Sequence, residues 1–189
     1  MTCIIGVLSP KEKCVYIGAD SCGSNGYTKS TVGHPKVFRK GDFIIGGTTS
    51  FRMLDLLEYS LSLPELRPSD EKDMEKFMRV SFVDAVRACL KNGGFAETNK
   101  NAEVGGNFLV GWKESLWEIQ PDYSVLTITT HAAVGSGEVA ATASLFTTKN
   151  LGIIPEKRIT MAMEAAENQV VSVQGPFVIL STKKEKASE

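Results

Sequence analysis

The chain has 189 residues, 42% apolar and 23% charged, enough for one domain with a substantial core. Its formal net charge of −1 gives no field that favours nucleic acid or an anionic membrane, and no basic patch is interleaved with aromatics. No apolar run approaches the roughly 20 residues of a membrane span, and the early apolar run lacks a signal-peptide cleavage pattern.

Residues 2–8 and 14–19 read as two strands joined by a polar, Pro-containing loop. Both are almost wholly apolar, which predicts burial on two faces. The Gly-, Ser- and Asn-rich stretch 21–33 reads as irregular loop. Two further strands, 37–39 and 43–45, flank a Lys40-Gly41-Asp42 turn. Gly46-Gly47-Thr48-Thr49-Ser50 then opens a helix whose Leu54, Leu57 and Leu61 fall at helical spacing, with Pro64 as its stop. The clearest helix carries Met74, Phe77, Met78, Phe82, Ala85, Val86 and Cys89 on one face. Ser69 is its predicted N-cap, and Asn92-Gly93-Gly94 its C-terminal stop. A Met-bearing stripe of this kind reads as core, not as a ligand box.

Residues 94–106 read as polar loop, followed by strands at 107–112, 116–119 and 124–129. Gly135-Ser136-Gly137 opens a small-residue helix to about Phe146. Pro155 suits the first turn of a last helix, with Ile159, Met163, Ala166 and Val170 on one face. Residues 177–181 are a final strand. The expected unit is a single domain over 1–182 with a charged tail at 183–189. Runs of strands segregated from runs of helices predict an α+β layered fold.

The four cysteines, Cys3, Cys14, Cys22 and Cys89, form no CxxC pair, so reduced thiols in a cytoplasmic protein are expected. With two histidines, His34 and His131, a His-rich zinc site is not expected. Both histidines are placed in loops, and a Ser-His-Asp triad stays open.

The chemistry-bearing residues are few. Once Met1 is removed, Thr2 would carry a hydroxyl and a free α-amine, a nucleophile beside its own base. Taken alone, Thr2 is an ordinary second residue, Asp20 a strand-end turn residue and Lys36 a solvated charge. Their order, terminal Thr, Gly-Ala-Asp20-Ser, Lys36-Val-Phe and Gly-Ser136-Gly, resembles the proteasome β subunits and HslV, the peptidase subunit of a two-component bacterial protease. These are N-terminal nucleophile (Ntn) hydrolases, and the resemblance runs from Thr2 to about Thr182.

The resemblance implies a four-layer αββα sandwich, two stacked sheets between helix layers. It implies Thr2 as nucleophile, Lys36 as the nearby cation and Asp20 as the partner that orients it. Ser136 matches the serine that supports the terminal amine, and as an isolated residue it would also suit a helix N-cap. Amides of Gly46 and Gly47, at a strand-to-helix junction, are the expected oxyanion donors, with Gly47 favoured. A structural sodium ion is expected on the backbone carbonyls of Glu167, Val170 and Val173; no cofactor is needed for the chemistry. The chain departs from the family at Ser50-Phe51-Arg52, where proteasome β subunits carry Asp, at Asn168, where they carry a carboxylate, and at Cys3, where many carry a second threonine.

The implied function is a threonine peptidase, a homo-oligomer of stacked rings that takes polypeptide substrates and binds neither nucleic acid nor membrane. No GxxxxGKS/T loop is present, so an ATPase unfoldase would be a separate chain. The alternatives are a stand-alone Ntn amidohydrolase acting on a small amide, and a non-catalytic proteasome-like ring subunit.

Overall fold

The computed structural model describes residues 2–99 and 102–183. Cys3–Ser9 forms strand β1 and Cys14–Ala19 forms β2, with every residue of β2 buried. Strands apolar on both faces must lie between two layers, and these do. Cys22–Ser24 (β3) and Lys29–Thr31 (β4) pair as a small hairpin inside the stretch expected to be irregular. Its turn is held by the Asn25 side chain, which accepts the N–H groups of Tyr27 (3.0 Å) and Thr28 (2.8 Å). That local bond is what a composition of Gly, Ser and Asn does not reveal. Val37–Lys40 (β5) and Phe43–Gly47 (β6) form the next hairpin, turning at Gly41 with φ +58°.

Helix α1 (Phe51–Asp55) is capped by the Ser50 side chain, which accepts the Arg52 N–H at 3.1 Å. It continues as wider π turns over Leu56–Ser60, ending before Pro64. Ser69 is not the cap of the long helix. It lies within a separate short helix, α2 (Pro68–Glu71), and the long helix begins after Asp73, whose side chain accepts the Lys76 N–H at 3.1 Å. Asp73 directly precedes the apolar stripe, and so caps the turn that is buried. That helix runs as α3 (Met74–Phe77), π turns over Met78–Phe82 and α4 (Val83–Asn92). Short strands β7 (Glu97–Asn99) and β8 (Ala102–Val104) occupy what read as loop.

Strands β9 (Phe108–Trp112), β10 (Ser115–Ile119) and β11 (Val125–Ile128) lie close to the expected 107–112, 116–119 and 124–129. Strand β12 (His131–Gly135) was not foreseen, and it takes His131 out of the expected loop. Its Ala-Ala centre carries little strand propensity; pairing with β1 supplies the order. Helices α5 (Glu138–Thr148) and α6 (Pro155–Gln169) and strand β13 (Val178–Ser181) complete the chain. Of the expected tail, 184–189 lies outside the described residues.

One sheet has the order β12-β1-β2-β13 and the other β11-β10-β9-β6-β5, all pairs antiparallel. Helices α5 and α6 cover the outer face of the first sheet around Ile5, Tyr16, Leu145 and Met163. Helices α1 to α4 cover the second around Phe43, Leu57, Phe82 and Trp117. Between the sheets lie Ile4, Val15, Ile17, Ile44, Leu109 and Leu116. The result is the four-layer αββα sandwich.

The sheets meet closely because small residues face large ones across the seam. A Cβ at Gly6 would sit 2.8 Å from Leu116 Cδ2, so Leu116 occupies the space that Gly6 leaves. Leu116 is fully buried. Leu116→Ala is expected to destabilise the fold by about 2–5 kcal/mol through the cavity it leaves. Urea unfolding reads this directly. A loss below about 1 kcal/mol would show that the two sheets can close over the gap.

Candidate active site

Strand pairing places the terminal residues beside the Gly-Ser-Gly turn. Cys3 pairs with Gly135, so Thr2 stands at the end of β1 beside Ser136. Gly135 has φ +100°, and a Cβ there would lie 2.2 Å from the Thr2 carbonyl oxygen. Only glycine allows the chain to pass Thr2 at this distance. The Thr2 nitrogen donates to Ser136 Oγ (3.2 Å), and that hydroxyl reaches the Thr2 carbonyl oxygen (3.2 Å).

Lys36, just before β5, sends its side chain to the same place. Its Nζ lies 3.0 Å from Thr2 Oγ1, 3.0 Å from each oxygen of Asp20 and 2.7 Å from the Cys22 carbonyl oxygen. The Lys36 and Asp20 side chains are 1% and 0% exposed. Asp20, at the end of β2, also accepts the N–H groups of Cys3 (2.9 Å) and Cys22 (2.8 Å). The carboxylate therefore fixes the backbone next to Thr2 while it balances the buried ammonium. Thr2 itself is 5% exposed.

Thr2, Asp20, Lys36 and Ser136 thus converge. Gly46 and Gly47 do not join them. The Gly47 N–H donates to the Lys36 carbonyl at 3.0 Å, and Gly46 lies in the same ladder opposite Val37 and Leu109. Added Cβ atoms would strike Ile4 and Ile17 at Gly46, and Leu54 and Met53 at Gly47. Both glycines serve close packing of the layers. The cavity beside Thr2, about 310 Å³, is lined instead by the following residues Thr48, Thr49 and Ser50, with Thr49 at φ +61°.

Two partners were not visible in the sequence. The Cys22 carbonyl is a backbone group with no side-chain signature. Ser172 is fully buried and its hydroxyl lies 2.9 Å from Ser136 Oγ. It sits in a turn after α6, outside any periodic pattern. Asn168 is exposed and accepts from Gln169 Nε2 at 2.9 Å. Ser172 fills the place behind Ser136.

Cys3 is no rival nucleophile. Burial pushes its thiol up to about 12, with the Asp20 carboxylate adding to the effect. The histidines stand apart. His34 pairs with Glu58 at 2.6 Å, and His131 contacts the Thr130 hydroxyl at 3.2 Å. Burial holds the His131 pKa down, and Arg158 and Lys149 lower it further. Glu167, Val170 and Val173 share the end of α6 and the turn after it. There the Val170 carbonyl accepts the Val173 N–H at 3.1 Å, and the Glu167 carboxylate accepts the Gly175 N–H at 3.0 Å. The Val170 carbonyl, one of the three expected to face a sodium ion, is thus already used within the turn.

No family model matches the chain, and no curated protein does. Solved structures match over nearly all of it. BPH of Thiobacillus denitrificans in complex with epoxomicin aligns at TM-score 0.76 and 17% identity, covering 94% of this chain and 97% of that one. HslV from Trypanosoma brucei aligns at TM-score 0.67 and 20% identity, covering 95% and 98%. An Anbu mutant from Hyphomicrobium sp. strain MC1 aligns at TM-score 0.68 and 16% identity, covering 95% and 80%.

The fold is that of the proteasome-like Ntn hydrolases. Thr2, Lys36 and Asp20 converge where the start of β1 lies beside the start of α1. Among the described residues, no helix is long and apolar enough to cross a membrane.

The Asp20–Lys36 pair is a buried charge pair whose members also satisfy backbone groups. Asp20→Asn removes the counter-charge and leaves the ammonium buried. A loss of about 3–5 kcal/mol is expected. Thermal unfolding measures it, and an unchanged Tm would show that water reaches Lys36.

Proposed function

We propose that this chain is a threonine peptidase in which Thr2, freed by removal of Met1, is the nucleophile and its own α-amine the base. The observation that carries this is the buried Lys36 ammonium, 3.0 Å from Thr2 Oγ1 and held there by Asp20. An ammonium at that distance favours the alkoxide over the alcohol. In the proposed reaction Oγ1 bonds to the scissile carbonyl carbon, and its proton passes to the α-amine. The tetrahedral adduct collapses, and the departing amine takes that proton. Water then attacks the acyl ester with the α-amine again as base, releasing the carboxylic acid and restoring Thr2. Ser136, 3.2 Å from the Thr2 nitrogen and backed by Ser172, orients that nitrogen.

The substrates are polypeptides, cleaved within a homo-oligomer whose ATPase, if it uses one, is a separate chain. Helix α5 supports the oligomer. Val139 and Phe146 on it, with Leu151 and Ile154 after it, are 78%, 74%, 65% and 62% exposed, an apolar surface suited to a second copy. The second reading, a stand-alone amidohydrolase on a small amide, uses the same four groups and predicts a native mass of 20.5 kDa. Native mass spectrometry separates the two, since a ring gives a multiple of that value.

Thr2→Ala removes the hydroxyl and the γ-methyl of one buried side chain and leaves the strand backbone as it is. It is expected to lower peptide hydrolysis by about 10⁴-fold or more while leaving assembly unchanged. Intact mass should show wild-type protein lacking Met1. Epoxomicin, carried by the BPH structure, is expected to block the wild-type activity. Hydrolysis by Thr2→Ala near the wild-type rate would eliminate Thr2 as nucleophile.

The pH profile tests the base. A free α-amine has an ordinary pKa of about 7.7–8.0, and the nearby Lys36 charge moves it down while a bond from its charged form to Ser136 opposes the shift. The amine accepts a proton only when neutral, so activity rises with pH through that value. The acidic limb of kcat/KM should report one group titrating in the neutral region, not a carboxylate near pH 4. Replacing His34 and His131 together by Gln should leave the limb in place. A limb lost in that double variant assigns the base to histidine.

A further inference from the structure

The cavity beside Thr2 has a lining that distinguishes one substrate chemistry from the rest. Ser24 closes one side, at the end of β3. Thr48, Thr49 and Ser50 form another, and Phe51 and Leu54 of α1 the apolar wall. At about 310 Å³ it holds the side chain of one residue, and its size alone excludes none. The chemistry of the lining does the selecting.

None of these residues carries a formal charge. The Lys36 ammonium lies 3.0 Å from Thr2 Oγ1 and 5.9 Å from the Phe51 ring centroid, and its charge is already balanced by Asp20, with the Cys22 carbonyl as a further acceptor. The Arg52 guanidinium turns away and donates to the Gly93 carbonyl at 3.2 Å. A charged substrate side chain entering here finds no counter-charge among the lining residues. The hydroxyls, in contrast, keep capacity to bond. Ser24 Oγ accepts the Gly26 N–H at 3.1 Å and Ser50 Oγ accepts the Arg52 N–H at 3.1 Å. Each of these bonds uses an oxygen lone pair and leaves the hydroxyl proton to donate. Thr48 differs, because its hydroxyl donates to the Asn107 carbonyl at 2.9 Å.

We infer that this cavity receives the residue on the acyl side of the cleaved bond and selects an uncharged carboxamide side chain, glutamine or asparagine. The inference rests on the peptidase reading above. The side-chain methylenes lie against Phe51 and Leu54, the carboxamide oxygen accepts from Ser24 and Ser50, and its NH₂ donates to hydroxyl oxygens. An aliphatic side chain would fill the space and make none of these hydrogen bonds, so it gains less on binding.

The test uses four acetylated tripeptide coumarin amides that differ only in the last residue, Gln, Leu, Arg or Asp. Wild-type protein should cleave the Gln peptide with kcat/KM about tenfold above Leu, and further above Arg and Asp. Leu, Arg or Asp cleaved as well as Gln overturns the assignment. Ser50→Asp keeps a good helix cap and brings a carboxylate to the rim. It should raise the Arg peptide above the Gln peptide, and an unchanged ranking would show that position 50 does not meet the substrate. Where wild-type protein cleaves none of the four, the ranking is read from binding of the labelled peptides to Thr2→Ala by fluorescence anisotropy. Gln-selective binding without cleavage defeats the peptidase reading and upholds the pocket. Binding without that preference, or no binding, defeats the pocket.

Discussion

A buried ammonium tolerates only a narrow set of surroundings. Removing such an ion from water costs several kcal/mol, and the cost is met only by a counter-charge with good geometry. Lys36 has that in Asp20, at 3.0 Å to both oxygens, with the Cys22 carbonyl as a further acceptor. Asp20 in turn holds the amides of Cys3 and Cys22. The ends of β1 and β2, the start of β3 and the residue before β5 are therefore tied to one point. The remaining direction of Lys36 Nζ is taken by Thr2 Oγ1. The same interaction that makes this part of the fold specific places a cation against the hydroxyl.

The layered architecture makes that point rigid. β1 and β2 are central strands of the first sheet, with helices α5 and α6 outside and the second sheet within. Thr2, at the end of such a strand, cannot drift, because its neighbours on both faces are packed. Glycines set the spacing. Gly6 admits Leu116 across the seam, and Gly135 lets the chain pass the Thr2 carbonyl. Gly46 and Gly47 belong to this packing role too. Their amides lie in the sheet, so the polar rim near Thr2 comes from the hydroxyl residues that follow them.

The support behind the Thr2 nitrogen is a chain of hydroxyls. Asn168 faces out, and the buried Ser172 hydroxyl takes the position behind Ser136. A hydroxyl chain is neutral where a carboxylate would be charged. It can orient Ser136 and relay hydrogen-bond direction without adding a second buried anion near Asp20.

By itself the sequence determined most of the elements and the identity of the central groups. Two apolar strands, Leu54 and Leu57 at helical spacing, and the strands between turn residues in 107–129 follow from side-chain patterns that are local. Thr2, Asp20, Lys36 and Ser136 were legible because their order along the chain matched a family pattern. Periodicity did not reach β12, whose Ala-Ala centre has no strand signal until β1 lies beside it. It did not reach the β3–β4 hairpin, which depends on a side-chain bond from Asn25, or the break that makes Asp73 the helix cap in place of Ser69. Tertiary structure alone decided that Ser172 stands behind Ser136, that the Cys22 carbonyl faces Lys36, and that the Gly47 amide belongs to the sheet. These are contacts between groups far apart in the chain, or made by backbone atoms common to every residue, so no local pattern encodes them.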